Sequence, residues 1–244
     1  MVILEKPQLS PKLDVVFHML FGEPKNENIT KRLVEDVIGE KVEQIDLDKN
    51  PYLWGEQPND KLGIIDIKAK INNQNLIDIE MQMSDSEELL KRILFYWAKM
   101  YIKQIERGEG YENLNRCISI IFTDFEIERL AELPPHTKWQ IKESKYGKVV
   151  LTEELEINII SLTKINELSK NDALTKWLTF LNDPYGREVK EMAEKEDVIK
   201  EAVEKLDEIN ADEKKARIAE LRQKRIWDER DALRTAEHKG IKQR

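Results

Sequence analysis

The sequence is poor in the residues and runs that mark several protein classes. It has one cysteine, Cys117, among 244 residues, so no disulfide can form within the chain and no thiolate cluster can hold a metal. No run of roughly 18 apolar residues is present, so we expect no membrane-spanning helix. The first eleven residues include Glu5 and Lys6 and lack a long apolar stretch, which argues against a signal peptide. These absences favour a cytoplasmic protein.

Positive charge is also in deficit. Lys and Arg number 40, Asp and Glu number 48, and the formal net charge is −8. This argues against a protein that coats nucleic acid, because neutralising phosphates requires a cationic surface. It still allows an enzyme that needs only a local basic rim. The three histidines, His18, His136 and His238, are too scattered to indicate a zinc site.

Alternating helical and extended patterns predict an α/β protein. Apolar residues recur at helical spacing in four segments, at about 10–22, 28–38, 84–107 and 168–181. Two β-rich runs, Leu62–Ile71 and Leu76–Met83, are joined by Asn72–Asn75, and asparagine tolerates the positive φ of a tight turn. These runs predict a hairpin. Asn115–Thr123 reads as a strand buried on both faces, and a further strand pair is expected between 148 and 162.

The character of the chain changes at about Arg187. Residues 187–244 hold sixteen acidic and sixteen basic side chains, with apolar residues at 3–4 spacing. This pattern predicts one or two charged helices with a break at 210–212. We therefore expect a domain over 1–185 and a charged helical extension over 186–244. The extension cannot bury a core of its own, so it leans on that domain or on the same segment of a second subunit in a homodimer.

Acidic residues interrupt the predicted hairpin. Asp66 lies in the first strand, and Asp78, Glu80 and Gln82 share one side of the second. Asp and Glu are poor strand formers, and carboxylates on neighbouring strands repel unless a cation lies between them. A hard cation that prefers oxygen ligands, such as Mg²⁺, suits Asp66 and Glu80. The alternative is a solvated strand face on which lysines pair with these acids.

Several segments, in the same order, resemble one family. The run Gly63–Ala69, the asparagine-rich turn and Ile77–Gln82 resemble the D…ExQ signature of the PD-(D/E)XK nuclease family transposases, also called recombination-promoting nucleases. The resemblance covers about residues 10–165. Further segments similar to the family are Pro11–Phe17, Leu20–Gly22, Arg92, Tyr96 and Gly108–Tyr111.

The resemblance implies a restriction-endonuclease-like α/β fold, a mixed central sheet flanked by helices. It implies an endonuclease that hydrolyses phosphodiester bonds in DNA with Mg²⁺ or another divalent cation, such as Mn²⁺ or Ca²⁺, and a link to recombination or mobile elements. Asp66 and Glu80 would hold the metal together with the backbone carbonyl of Met81. Gln82, where most of the superfamily has lysine, would orient the attacking water. Asp14 would be an accessory acid.

Each functional interpretation has an alternative. The fold could serve as a catalytically inactive interaction module that works through its helical tail, or the substrate could be RNA. Asp14 could instead be a helix-surface or salt-bridge residue. One set of cations could line a helix edge as a phosphate rim or form an ordinary solvated face: Lys91, Arg92, Lys99, Lys103 and Arg107.

Overall fold

The computed structural model describes residues 8–48, 67–169 and 172–242. Within these residues a six-stranded mixed sheet has the order β1-β2-β3-β4-β6-β5. Its strands are β1 (Ile45–Leu47), β2 (Ile67–Ile71), β3 (Asn75–Gln82), β4 (Cys117–Thr123), β5 (His136–Trp139) and β6 (Leu155–Ser161). The α-helices of the same residues are α1 (Asp14–Phe21), α2 (Glu27–Ile38), α3 (Leu89–Ile102), α4 (Ala173–Asn182), α5 (Arg187–Ala193), α6 (Asp197–Ala211) and α7 (Glu213–Lys242). The predicted α/β class is confirmed.

The β2–β3 hairpin forms where the sequence predicts it. Asn72 and Asn73 have φ values of 50° and 61°, the left-handed conformation that asparagine accepts more readily than most residues. The two strands pair antiparallel, with Ile67 opposite Ile79. Residues 62–66 of the predicted first strand, Asp66 among them, lie outside the described residues.

The centre of the sheet is parallel and covered on both faces. β3 pairs parallel with β4, and β4 pairs parallel with β6. Every residue of β4 is buried, which explains its continuous apolar run. One face packs against a cluster containing α1, α2, α4 and α6, and the other packs against α3. All eight residues of α1 are buried, so this helix lies wholly inside the protein.

Cys117 begins β4 beneath α3. Its thiol is free and buried, as the sequence predicts. Burial raises the pKa of this thiol to about 12, and the nearby Glu154 carboxylate adds to the effect. A thiol held protonated in this way is a weak nucleophile.

Two boundaries differ from the sequence prediction. α3 begins at Leu89 without a side-chain cap and ends at Ile102, whereas the pattern predicted a helix over about 84–107. Beyond Ile102 the Gln104 side chain both donates to and accepts from the backbone of Asn115, and this exchange turns the chain away from the helix. The antiparallel partner of β6 is β5, a strand that lies before the predicted 148–162 pair.

The charged C-terminal segment forms helices that lean on the rest of the protein. α6 and α7 meet at Asp212, whose carboxylate accepts from the backbone of Lys214 and Lys215, so the predicted break is an N-cap. Four residues of α6 are buried, Ile199, Ala202, Leu206 and Ile209, and α6 contacts α1 and α2. The division at residue 185 stays a prediction, although apolar residues from both sides of it share one cluster. In the described part of the chain, no helix combines the length and apolarity needed to cross a bilayer.

Candidate active site

Glu80 and Gln82 lie together at the carboxyl end of β3. Both are buried, with Glu80 3% exposed and Gln82 8% exposed. The Gln82 Nε2 donates to Glu80 Oε2 at 2.6 Å. Burial removes the solvated-face alternative for Glu80, because the strand face that bears it is covered rather than open to water. A carboxylate kept in a buried strand is costly unless something compensates its charge.

α3 covers this face of the sheet and supplies a cation. Leu89 and Ile93 belong to the apolar cluster on this side. Between them in sequence, Arg92 donates from its guanidinium to the Gln82 side-chain oxygen at 2.7 Å. Arg92 therefore points toward the site rather than outward as part of a phosphate rim. Glu80, Gln82 and Arg92 form a chain of two hydrogen bonds.

The chain of hydrogen bonds fixes the Gln82 amide in one orientation. A guanidinium has only donors, and an ionised carboxylate has only acceptors. The amide oxygen must therefore face Arg92, and the amide nitrogen must face Glu80. A carbonyl oxygen has two lone pairs, so one remains to accept a hydrogen bond from water. The arrangement places the permanent positive charge of Arg92 in direct contact with the Gln82 side chain.

Further oxygen atoms lie beside these residues. Ser119 and Thr123 stand opposite Asp78 and Gln82 in the β3–β4 register, and both hydroxyls are buried without a hydrogen-bond partner among the described residues. These hydroxyls add oxygen atoms without a partner to the buried polar strip on this side of the sheet. The described residues contain no cluster of three His, Cys, Asp or Glu that could hold a metal, and Asp66 lies outside them. The assignments of Asp66, Glu80 and the Met81 carbonyl as ligands stay predictions.

The N-terminal motif reaches the same end of the sheet. The Lys12 ammonium donates to Asp124 at 2.7 Å, and the Asp124 backbone N–H donates to the Gln82 carbonyl oxygen at 3.0 Å. Lys12 therefore lies close to the carboxyl ends of β3 and β4. Sequence reasoning did not single it out, and its only signal was its place within the Pro11–Phe17 motif.

Asp14 is held by the C-terminal helix. Arg222 Nε donates to both oxygens of the Asp14 carboxylate, at 3.0 and 2.8 Å, and Arg222 Nη2 donates to Oδ2. The Val15 backbone N–H also donates to this carboxylate at 2.8 Å. This geometry corresponds to the salt-bridge alternative for Asp14. Its role as an accessory acid stays a prediction.

Replacing Arg222 with methionine is expected to lower the free energy of unfolding by about 1–3 kcal/mol, because the Asp14 carboxylate loses the partner that compensates its burial. Chemical denaturation measures the change. Arg217→Met is the matched control, since Arg217 lies on the same helix in an exposed pair with Glu220 and should change stability by less than ~0.5 kcal/mol. Equal stabilities for the two variants would mean that the Asp14 pair contributes nothing.

Comparison with known proteins places the chain in a family. The chain matches no curated protein and no solved structure. A family model described as PD-(D/E)XK nuclease family transposase matches residues 11–236, a span that includes the hairpin, the Glu80–Gln82–Arg92 chain and Arg222. The mixed sheet flanked by helices agrees with the fold of that family. The chain therefore belongs to the PD-(D/E)XK nuclease family transposases.

Proposed function

We propose that this protein is a divalent-metal-dependent nuclease that hydrolyses phosphodiester bonds in DNA, in the cytoplasm and in connection with recombination or mobile elements. Family membership supports a nuclease linked to mobile elements. The observation that carries the proposal is the buried Glu80 carboxylate held by Gln82, which is difficult to explain as a stabilising feature. Active-site residues commonly lower the stability of the folded protein, because function and not stability determines which residues are kept there.

Asp66 and Glu80 are the proposed metal ligands, with the Met81 carbonyl as a third. Asp66 is the residue before Ile67, and Ile67 pairs with Ile79, the residue before Glu80. This register supports the proposal that the two carboxylates share one cation. A divalent cation bound there would lower the pKa of a bound water and stabilise the charge that develops on the phosphate.

Gln82 has the proposed task of orienting the attacking water. Its side-chain oxygen accepts from Arg92 and keeps one lone pair for the water. Arg92 has a positioning role because it acts through Gln82. It holds the amide in place and supplies the positive charge that lysine supplies in most of the superfamily.

A substrate panel tests the proposal. Supercoiled plasmid, linear duplex DNA, single-stranded DNA and RNA are incubated with the full chain in Mg²⁺, Mn²⁺, Ca²⁺ or EDTA. We expect cleavage of DNA in at least one cation and none in EDTA. Cleavage confined to RNA would mean that the substrate is RNA and not DNA. Absence of cleavage on every substrate would favour the inactive interaction module and overturn the proposal.

The pairing of Arg92 with Gln82 predicts a non-additive pair of substitutions. Arg92→Met is expected to lower the cleavage rate about 10- to 100-fold, as is typical when a residue that orients a ligand is lost. Gln82→Lys should keep part of the activity, and in that background Arg92→Met should cost less than about threefold, because the lysine now carries the charge. Single-turnover cleavage of the four proteins measures this coupling.

Arg107→Met serves as the control because it removes an exposed cation just beyond α3. Purely structural damage by Arg92→Met would be the same in both backgrounds, so equal losses with Gln82 and with lysine at this position would contradict the role assigned to Arg92.

A further inference from the structure

The outer side of α3 exposes an apolar and basic stripe. The helix buries Leu89, Ile93 and Trp97 against the sheet. One turn apart on the opposite side lie exposed residues: Lys91, Phe95, Lys99 and Ile102. Phe95 is 62% exposed and Ile102 is 66% exposed. Burying such side chains normally contributes roughly 1.5–3 kcal/mol each, so a partner that covered them would gain binding energy from their burial.

The charge of α3 bears on the charge of that partner. The helix has no acidic residue among its fourteen positions and carries Lys91, Arg92 and Lys99, whereas the whole chain has a net charge of −8. Within the described residues, no salt bridge involves Lys91 or Lys99. An acid-free helix in an acidic protein is compatible with an anionic partner.

The helix that bears the stripe contacts the candidate active site through its first turn. Arg92, the neighbour of Lys91, donates to Gln82, so the first turn of α3 is fixed to the residues that would act on the scissile phosphate. From there the helix extends past Phe95 and Lys99 at about 1.5 Å per residue. A polymer that leaves the site over this first turn would meet the outer side of α3.

We propose that the stripe formed by Lys91, Phe95, Lys99 and Ile102 binds a single-stranded segment of nucleic acid next to the cleaved bond. The proposal rests on the proposed nuclease function. Lys91 and Lys99 lie about 6 Å along the helix on either side of Phe95, where they contact phosphates on the two sides of the base that stacks on Phe95. Phe95 stacks on an unpaired base. Its ring is already oriented by an edge contact with Tyr96, with centroids 5.5 Å apart.

The aromatic residue distinguishes a single strand from a duplex. In a duplex the faces of the bases are stacked on one another and only their edges reach the grooves. An exposed phenyl ring between two lysines offers little to such a duplex. It matches the combination by which proteins hold single strands, a cationic track with aromatic platforms.

The test is equilibrium binding of a fluorescent oligothymidylate and of a duplex of equal length to the full chain in EDTA, where no cleavage occurs. We expect tighter binding of the single strand. Phe95→Ala should weaken single-strand binding about 5- to 100-fold. Lys91→Gln with Lys99→Gln should make the slope of log affinity against log salt shallower by about 1.4, since each phosphate contact contributes about 0.7 on single strands.

Matched variants remove the same groups elsewhere. Trp227→Ala deletes another exposed aromatic side chain, 58% exposed, and Lys190→Gln with Lys195→Gln deletes two exposed lysines of the C-terminal segment. Both should bind as the wild type does. Unchanged single-strand binding by Phe95→Ala would overturn the proposal, and so would a preference for duplex that Phe95→Ala leaves intact. If Phe95→Ala lost self-association but still bound the oligonucleotide, the proposal would also be overturned, because the stripe would then be a protein contact.

The binding assay separates this proposal from the nuclease proposal. If the wild-type protein binds the single strand through Phe95 but cuts no substrate, the nuclease proposal fails and the stripe stands. If the wild-type protein cuts DNA and Phe95→Ala binds as tightly as the wild type, only the assignment of the stripe fails.

Discussion

Replacing Glu80 with glutamine or alanine is expected to reduce metal-dependent cleavage by more than about a thousandfold, because charge stabilisation by a bound cation supplies several kcal/mol and each ~1.4 kcal/mol is a factor of ten. Asp66→Ala should have the same effect. Neither change should unfold the protein, since removing a carboxylate relieves repulsion in the metal-free state. Single-turnover cleavage measures the loss of activity. Circular dichroism and chemical denaturation measure whether the variants stay folded and how stable they are.

Asp78→Asn is the matched control for Glu80→Gln. Asp78 is also 3% exposed and lies two residues earlier on the same side of β3, but we assign it no metal contact and expect cleavage to be retained. Wild-type cleavage by Glu80→Gln, in a preparation freed of contaminating nucleases, would remove Glu80 from the mechanism.

Arg116→Met is expected to cause a large loss of stability, about 3 kcal/mol, because it leaves a buried charge without its principal cation. Glu156 lies in the middle of the sheet with its side chain 1% exposed and pairs with Arg116, which also forms two 2.9 Å hydrogen bonds with Glu40. Lys138 at 3.1 Å and Asn158 at 2.8 Å remain as partners of Glu156, and they limit the loss. Chemical denaturation at neutral pH measures it.

Two comparisons identify the cause of that loss. Adding Glu156→Gln to Arg116→Met should recover part of the stability, because the unpaired charge is gone. Arg187→Met, which removes a cation whose side chain is 91% exposed in its pair with Glu191, should change stability by less than ~0.5 kcal/mol. If Arg116→Met unfolds with the wild-type free energy, the buried network does not hold the sheet together.

Acidity should reduce the difference between the wild type and Arg116→Met. Burial opposes ionisation of Glu156, but hydrogen bonds from Asn158 and Arg116 and the charge of Arg116 outweigh it and hold the pKa of this carboxyl below its ordinary value. A folded pKa below the unfolded one contributes stability above the unfolded pKa of ~4.3. That contribution is lost as the pH falls through the folded pKa. The two proteins should therefore approach each other in stability below about pH 4.

The sequence predicted structure well where neighbours in the chain are neighbours in space. The asparagines at 72–73 predicted the hairpin because few other residues accept two successive positive φ values. Gly39 predicted the end of α2, where it has a φ of 73°. The apolar run of β4 predicted burial on both faces because only a central strand has no polar side.

Prediction stopped where a residue depends on a partner far along the chain. The sequence predicted a role for Glu80 but not its cover, because it does not state which helix packs over that face of β3. Arg92 could face either solvent or Gln82, since the rotation of α3 about its axis is set by packing against the sheet. Arg116 and Glu156 gave no signal, because two isolated charges become a buried network only after β4 and β6 pair.

Residues near the start of the described chain contact residues of its C-terminal helices. The packing of α1 therefore cannot be completed until those helices have been synthesised. The Leu9 backbone N–H donates to the side-chain oxygen of Asn210, 201 residues later in the chain. Arg222, which donates to the Asp14 carboxylate, lies 208 residues after it. At ribosomal rates of roughly 5–20 residues per second, about 10–40 seconds separate the emergence of α1 from that of its last partners. During that interval α1, whose eight residues are all buried in the folded protein, has no native cover from α6 or α7. Chaperones that shield apolar segments would find a target there, at Val15–Phe21.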